Sequence, residues 1–500
     1  MTDSQRLPDY VDVAIVGAGF AGLGMAIRTA RRGRESFVIL ERGDSVGGTW
    51  RDNRYPGVSC DVPAHVYSYS FRPPGDWDSL FAEGAAIHDY LEQAATDEGL
   101  RPHLHLDVDV TETRWLPEDL CWAVSTSAGE LRARVLVVAV GRLANPLVPT
   151  FPGLESFPGK VFHTAQWDGE APIDGARVGV VGTGASAVQL VPQLAKSAGE
   201  LVVFSRSAPY VVPRGDREYS AAEREHLRVK VNADRLRAEL FEEADKAFAQ
   251  RRGLHPAIDE IRDRALGHLH AQVSDPDLRA DLTPHYEIGC KRILLSDEFF
   301  PTMTQSHVTL EPSALVRFEG SRAVSANGQS FELDTVVLAT GFEAARPEFA
   351  TRIVGVGGER LSEHWQEGMV SYASTAVSGY PNMFVLDGPN AALGHNSAIY
   401  MIETQIDYVL GAMDHLSAGG PIALEVMAAA EQAYTREIDE RSASTVWLSG
   451  CSSWYLDPQS RRLTLLWPGT GRSFRDRNGT FDPYHYERVW APDSVDLPVS

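Results

Sequence analysis

The chain has 500 residues, 43% of them hydrophobic and 23% charged, and a formal net charge of −22. That length asks for two or three cores rather than one, and that charge excludes nucleic acid and anionic membrane surfaces as partners, because both reward basic patches. The polar start MTDSQRLPDY and the lack of any run of about 18 apolar residues predict a soluble, cytoplasmic protein.

The first element is the apolar strand VAIV, which runs directly into Gly17-Ala18-Gly19-Phe20-Ala21-Gly22 and an amphipathic helix. Glycines between strand and helix allow a tight turn and the close approach of a pyrophosphate to the helix N-terminus. The next strand, SFVILE, ends in Glu41, 19 residues after Gly22. A carboxylate there accepts from a ribose diol and repels a 2′-phosphate, so the loop is of the FAD or NAD type. Residues 47–61 read GGTWRDNRYPGVSCD, and a β run closes at Gly141 in VLVVAVG. A Pro/Gly-rich connection follows, NPLVPTFPG, and then FPGKVFHTAQWD with the spacing Phe157-x-Gly159-x-x-x-His163-x-x-x-Trp167. His163 titrates near neutrality and so could serve as a base, but in an interdomain connection it reads as a structural hydrogen-bonding residue.

The strand–glycine–helix pattern then repeats: strand VGVV, loop Gly182-Thr183-Gly184-Ala185-Ser186-Ala187, a helix and the strand VVF. Arg206, flanked by Ser205 and Ser207, stands 19 residues after Ala187, where the first unit has its acid. A guanidinium there suits a 2′-phosphate and predicts NADP(H) over NAD(H); a surface arginine is the alternative. Two dinucleotide loops of different type suggest electron transfer between two cofactors. Residues 217–273 are charged, with apolar residues at helical spacing and few glycines, and read as a helical insertion whose ends would bring Arg206 and Lys291 together. Beyond it lie GCKRILLSDEFF (289–300), TVVLATGF with Gly341, GYPNMFVLDGPNAALGHNS (379–397) and WLSGCSSWYLD (447–457). On their own chemistry Lys291 and Arg292 are a solvated basic pair, Asp61 in SCDVP is an Asx-turn residue, and Trp447 and Trp454 are core. The four cysteines, Cys60, Cys121, Cys290 and Cys451, are scattered without C-x-x-C. That excludes a dithiol redox motif, a disulfide reductase and a zinc ribbon, and fits a reducing compartment. No metal site is expected. The fold class is α/β, two Rossmann-like dinucleotide-binding domains with a helical insertion in the second.

Four of these stretches together resemble the type I Baeyer–Villiger monooxygenases, class B flavoprotein monooxygenases. They are the Phe157–Trp167 spacing, residues 47–61, residues 289–300, and the C-terminal pair of runs, and they span about residues 13–487 in the family's order. The resemblance implies FAD in the first loop and NADPH in the second. It implies residues 1–148 and 379–500 for FAD, 149–214 and 290–378 for NADP, and an insertion at 215–289. FAD contacts would come from Gly17, Gly19, Phe20 and Gly22, from Glu41 and Arg42, and from Gly48, Thr49 and Trp50. Asp61, Val62, Tyr67, Val110 and Asn390 would add to them. NADPH contacts would come from Thr183, Gly184, Ala185, Ser186 and Ala187, then Ser205, Arg206, Lys291 and Trp454. Trp454 is preferred over Trp447 as the pocket residue, and Pro389, Asn390, His395 and Asn396 would pass near the flavin.

The implied reaction takes a small-molecule ketone and O₂ to an ester or lactone through a flavin C4a-peroxide. Arg292, partnered by Asp61, would stabilise the anion, and Phe157, Gly159, His163 and Trp167 would be a structural fingerprint. Sulfoxidation is left open, as are the ketone, its regiochemistry and the oligomeric state. The rivals are an N- or S-oxidising flavin monooxygenase, which usually has Tyr in place of Trp167, and a non-catalytic flavin-binding redox sensor.

Overall fold

The structure, a computed structural model, describes residues 6–73, 76–417 and 422–489. Its two main sheets each grow from one strand–glycine–helix unit. The first has eight strands. At its centre Gly129–Val138 lies parallel to Tyr10–Val16, which lies parallel to Phe37–Leu40, and Met383–Val385 joins from the C-terminal part of the chain. Val13, Ala14 and Ile15 are wholly buried, as a parallel strand covered on both faces requires. The helix Phe20–Arg32 is buried on nearly every side, with Leu23, Met25 and Ile27 all in the core, and stops at Gly33, whose φ of 64° forms the left-handed cap. Burying each such side chain contributes about 1.5–3 kcal/mol.

The second sheet has five strands, all parallel, in the order Val308–Glu311, Glu200–Phe204, Arg177–Val181, Thr335–Leu338 and Lys160–His163. Its edge strand corrects one reading of the sequence. Lys160–His163 is not a connection but a strand, in register with Thr335–Leu338. The apolar pair Val161-Phe162 has a neighbour to pair with there, and that outweighs the surrounding Pro/Gly-rich composition.

Between Ala221 and Asp281 lie the helices Ala221–Leu227, Lys230–Lys246, Phe248–Arg251, Ala257–Gln272 and Pro276–Asp281. Val211–Val212 and Leu294–Leu295, on either side of them, pair in parallel and bring the two ends of this excursion together. The Phe241 ring packs tilted against that of Tyr400, centres 4.4 Å apart, and Asp245 accepts from the Gly471 amide at 2.6 Å, so the helices also hold the C-terminal part. Among the described residues no helix is long and apolar enough to cross a membrane.

Candidate active site

A cavity of about 1380 Å³ lies against both glycine loops. Single-ligand sites run to roughly 1000 Å³, so this one has room for two. The loops are built alike. Gly17 (φ 102°) and Gly182 (φ 118°) each press on the end of a neighbouring strand, where a Cβ would stand 2.5 Å from the Ala139 carbonyl oxygen and 2.4 Å from that of Ala339. No other residue type tolerates both the φ and the approach. The helices Phe20–Arg32 and Ala185–Leu194 start at Gly19 and Gly184 without a side-chain cap, and these first residues line the cavity. Uncapped amides aimed into a cavity are what a pyrophosphate needs, so the residues present fit FAD and NADP.

Glu41 is buried at the end of its strand. Its Oε2 accepts from the Ala18 amide at 2.8 Å, and its Oε1 accepts from the Gly43 amide at 2.8 Å and from Arg51 Nη1 at 2.7 Å. Arg51 was missed in the sequence, where it is one charged residue among several. Arg42 lines the cavity and donates to the Ala144 carbonyl at 2.8 Å.

The stretch 47–61 spans the gap between the loops. The Gly47 amide donates to the Ala18 carbonyl at 2.9 Å, and Tyr55 Oη donates to Gln189 Oε1, on the second helix, at 2.8 Å. Between these anchors Gly48, Thr49 and Trp50 face the cavity, with Trp50 Nε1 donating to Tyr67 Oη at 3.3 Å. The stretch ends at Asp61, which meets Arg292 from the far side. Arg292 Nε and Nη2 each donate to one Asp61 oxygen, both at 2.6 Å, and about a quarter of each side chain is open to the cavity. Burial opposes ionisation of Asp61, yet Arg292 outweighs it and holds the carboxyl below its usual range. For Arg292 burial likewise works against the charge, and Asp61 overrides it and raises the pKa. Such a fork-to-carboxylate pair is fixed in geometry as well as in charge.

On the second loop Thr183 Oγ1 donates to the Ser207 carbonyl at 2.9 Å, and Lys291 Nζ donates to Ser207 Oγ at 2.9 Å. Lys291 lies 4.6 Å from the centre of the Tyr286 ring. Its pKa is lowered by burial and then by Arg206, the other cation of the cluster. Arg206 is exposed, lines the cavity and has no carboxylate partner among the described residues. Trp454 lines the cavity and is 42% exposed, whereas Trp447 is fully buried beside Tyr455.

Not every residue singled out in the sequence reaches the cavity. Gly22, Ala187 and Ser205 lie behind its wall, Val62 and Val110 on it. Asn390 is turned away, its amide nitrogen donating to the carbonyls of Leu463 at 2.7 Å and Leu466 at 3.0 Å, while Asn396 lines the wall. Phe157, Gly159, His163 and Trp167 all stand outside. Phe157 packs on Phe318 at 4.8 Å, Gly159 abuts the Asp334 carbonyl, and Trp167 meets Phe162 edge-on at 5.3 Å. His163 is buried, accepts from the Ala165 amide at 3.1 Å through Nδ1, and has its pKa lowered by burial.

Two features had no signal in the sequence. Arg142 and Asp387 pair on the cavity wall, and burial raises the Asp387 pKa despite the arginine. Cys290 and Cys451, read as scattered thiols of a reducing compartment, form a disulfide. A sequence separation of 161 residues hides such a pair; only the fold brings it together.

Residues 14–245 match the family model described as pyridine nucleotide-disulphide oxidoreductase, a span that ends before both bridged cysteines. The chain is 42% identical to a Baeyer–Villiger monooxygenase of Streptomyces coelicolor, covering 97% of this chain and 94% of that protein. An oxidised steroid monooxygenase bound to NADP superposes with a TM-score of 0.86 at 30% identity, over 96% of this chain and all of that one. The monooxygenase OTEMO in complex with FAD and NADP superposes with a TM-score of 0.84 at 26% identity, over 96% of this chain and 99% of its own. Identity at that level across both nucleotide loops and the wall between them shows that the chain belongs to the Baeyer–Villiger monooxygenase family, NADPH-dependent flavoproteins that carry FAD.

Proposed function

We propose that this chain converts a small-molecule ketone and O₂ to an ester or lactone at the wall where Arg292 meets Asp61. The observation that supports this placement is the two-point Arg292–Asp61 pair, held between the two nucleotide loops. Bound FAD, reduced by NADPH, supplies the electrons and the activated oxygen. Arg292 presents a permanent positive charge to the negative charge that develops there, and Asp61 fixes its orientation. Loss of one such donor costs about 3–4 kcal/mol, roughly two to three powers of ten in rate. Arg206 and Lys291 hold the 2′-phosphate of NADPH, and Glu41 shares its oxygens with a ribose diol of FAD. Trp454 covers the nicotinamide end, and the fingerprint residues Phe157, Gly159, His163 and Trp167 brace the second sheet.

In the same reading FAD is held by residues 1–148 and 379–500 and NADP by 149–214 and 290–378, with 215–289 inserted. A cytoplasmic location belongs to this reading too, supported by an acidic, ordinary globular composition.

The test is to mix the purified protein with NADPH in air and a panel of cyclic, linear and aromatic ketones, following NADPH loss and product mass. Substrate-stimulated NADPH loss with an ester or lactone product is expected. Arg292→Ala should retain flavin reduction and lose ester formation. No ester from any ketone would overturn the reaction, and full ester formation by the variant would overturn the role of Arg292.

A further inference from the structure

Cys290 directly precedes Lys291 and Arg292, and Cys451 directly precedes Ser452, Ser453 and Trp454. All five of these followers line the cavity, from two stretches joined by the disulfide, with Cα atoms 6.4 Å apart. Besides the bridge, the stretch around Cys451 is held by few contacts, among them the donation from Arg461 Nη2 to the Cys451 carbonyl at 3.2 Å. Residues 450–453 belong to no helix or strand, and Leu448 and Trp454 on either side are 40% and 42% exposed. Cys290 is wholly buried, its amide donating to the Glu287 carbonyl at 3.1 Å, while Cys451 is half-buried. One end of the bridge is thus anchored and the other sits on a lightly held loop.

We propose that Cys290 and Cys451 form a thiol–disulfide modification site that sets how tightly the enzyme retains its nicotinamide nucleotide. Oxidised, the bridge ties the Trp454 loop to the Lys291–Arg292 segment; reduced, the loop is released and the nucleotide is held less firmly. The inference rests on the reading of Trp454 as a nucleotide contact. Closure is a two-electron oxidation by hydrogen peroxide. The S–S bond forms, the O–O bond breaks, and the two thiol protons leave in two molecules of water. Opening needs a dithiol reductant: its thiolate attacks Cys451 Sγ, the accessible side, and its second thiol resolves the mixed disulfide. The remaining thiols do not compete, because Cys60 and Cys121 are buried and burial raises the pKa of each, keeping the nucleophilic thiolate scarce.

The full-length, FAD-loaded protein carries the test in four forms: peroxide-treated, dithiothreitol-reduced, Cys451→Ser and Trp454→Ala. A non-reducing peptide map should join the Cys290 and Cys451 peptides in the first form and not in the second. The dissociation constant for NADP⁺, read by titration, should rise by about fivefold or more on reduction and in Cys451→Ser. The variant should ignore dithiothreitol, and peroxide should restore the reduced wild type. If Trp454→Ala binds NADP⁺ like the wild type, the reading of Trp454 falls and takes this proposal with it. If Trp454→Ala weakens binding but mapped reduction leaves the constant within about twofold, the redox proposal alone is overturned. Failure to find the joined peptide after peroxide treatment also overturns it.

Discussion

Arg292 and Asp61 lie 231 residues apart in the chain and 2.6 Å apart in the fold, and each sets the charge of the other. The depressed pKa of Asp61 means that the pair contributes stability above the unfolded carboxylate range. That contribution is lost as pH falls through the lower, folded value. The Arg292–Asp61 pair therefore keeps its charges throughout the neutral range. Arg206 and Lys291 are different: two cations face one cavity with no carboxylate paired to either among the described residues, and Lys291 binds its proton less firmly, first through burial and then through Arg206. An anion with two charges relieves that repulsion. Arg206→Ala should therefore weaken NADPH by about tenfold or more and NADH little, because only NADPH carries the 2′-phosphate. Paired KM measurements check this, and equal losses for both nucleotides would remove Arg206 from that role.

At the scale of elements, the contact between the short helix Leu361–His364 and the helix Ala428–Ser442 is made through an ionisable pair. His364 Nε2 lies 2.9 Å from Glu431, and Nδ1 lies 3.6 Å from Glu359. Burial lowers the histidine's pKa, but the two carboxylates outweigh it and raise it. A raised pKa gives a contribution that is fully present below the unfolded histidine value and is lost as pH rises through the folded one. The melting temperature should thus drop, by about a degree at most in a chain of this size, between about pH 6 and pH 8 through this pair. His364→Gln should flatten that slope, and an unchanged slope in scanning calorimetry would sink the assignment. Other elements were plain in the sequence for local reasons. A strand, a glycine loop and a helix in sequence make a unit whose neighbours are consecutive, so Tyr10–Arg32 and Arg177–Leu194 could be read directly. Lys160–His163 could not, because its partner, Thr335–Leu338, lies over 170 residues away and a four-residue edge strand has no periodicity of its own to show.

Taken whole, the molecule has two main sheets whose glycine loops open on one cavity, so filling it should couple to global stability. FAD at about a hundred times its dissociation constant should add about 2.7 kcal/mol and raise the melting temperature of the stripped protein; no shift on adding FAD would mean that the cavity is not its site. Family and cofactors were legible in the chain alone, because each of the four stretches that carry the resemblance is a short local pattern. Tertiary structure decided the rest. It fixed the two-point geometry of the Asp61–Arg292 pair that the resemblance had implied, turned Asn390 away, and paired Arg142 with Asp387 and Cys290 with Cys451. The physical reason is common to all of these. Nucleotide loops are made by local backbone geometry that a short sequence specifies, whereas charge pairs, a bridge and a cavity wall are contacts between distant segments. Their distances exist only once the sheets and helices have packed.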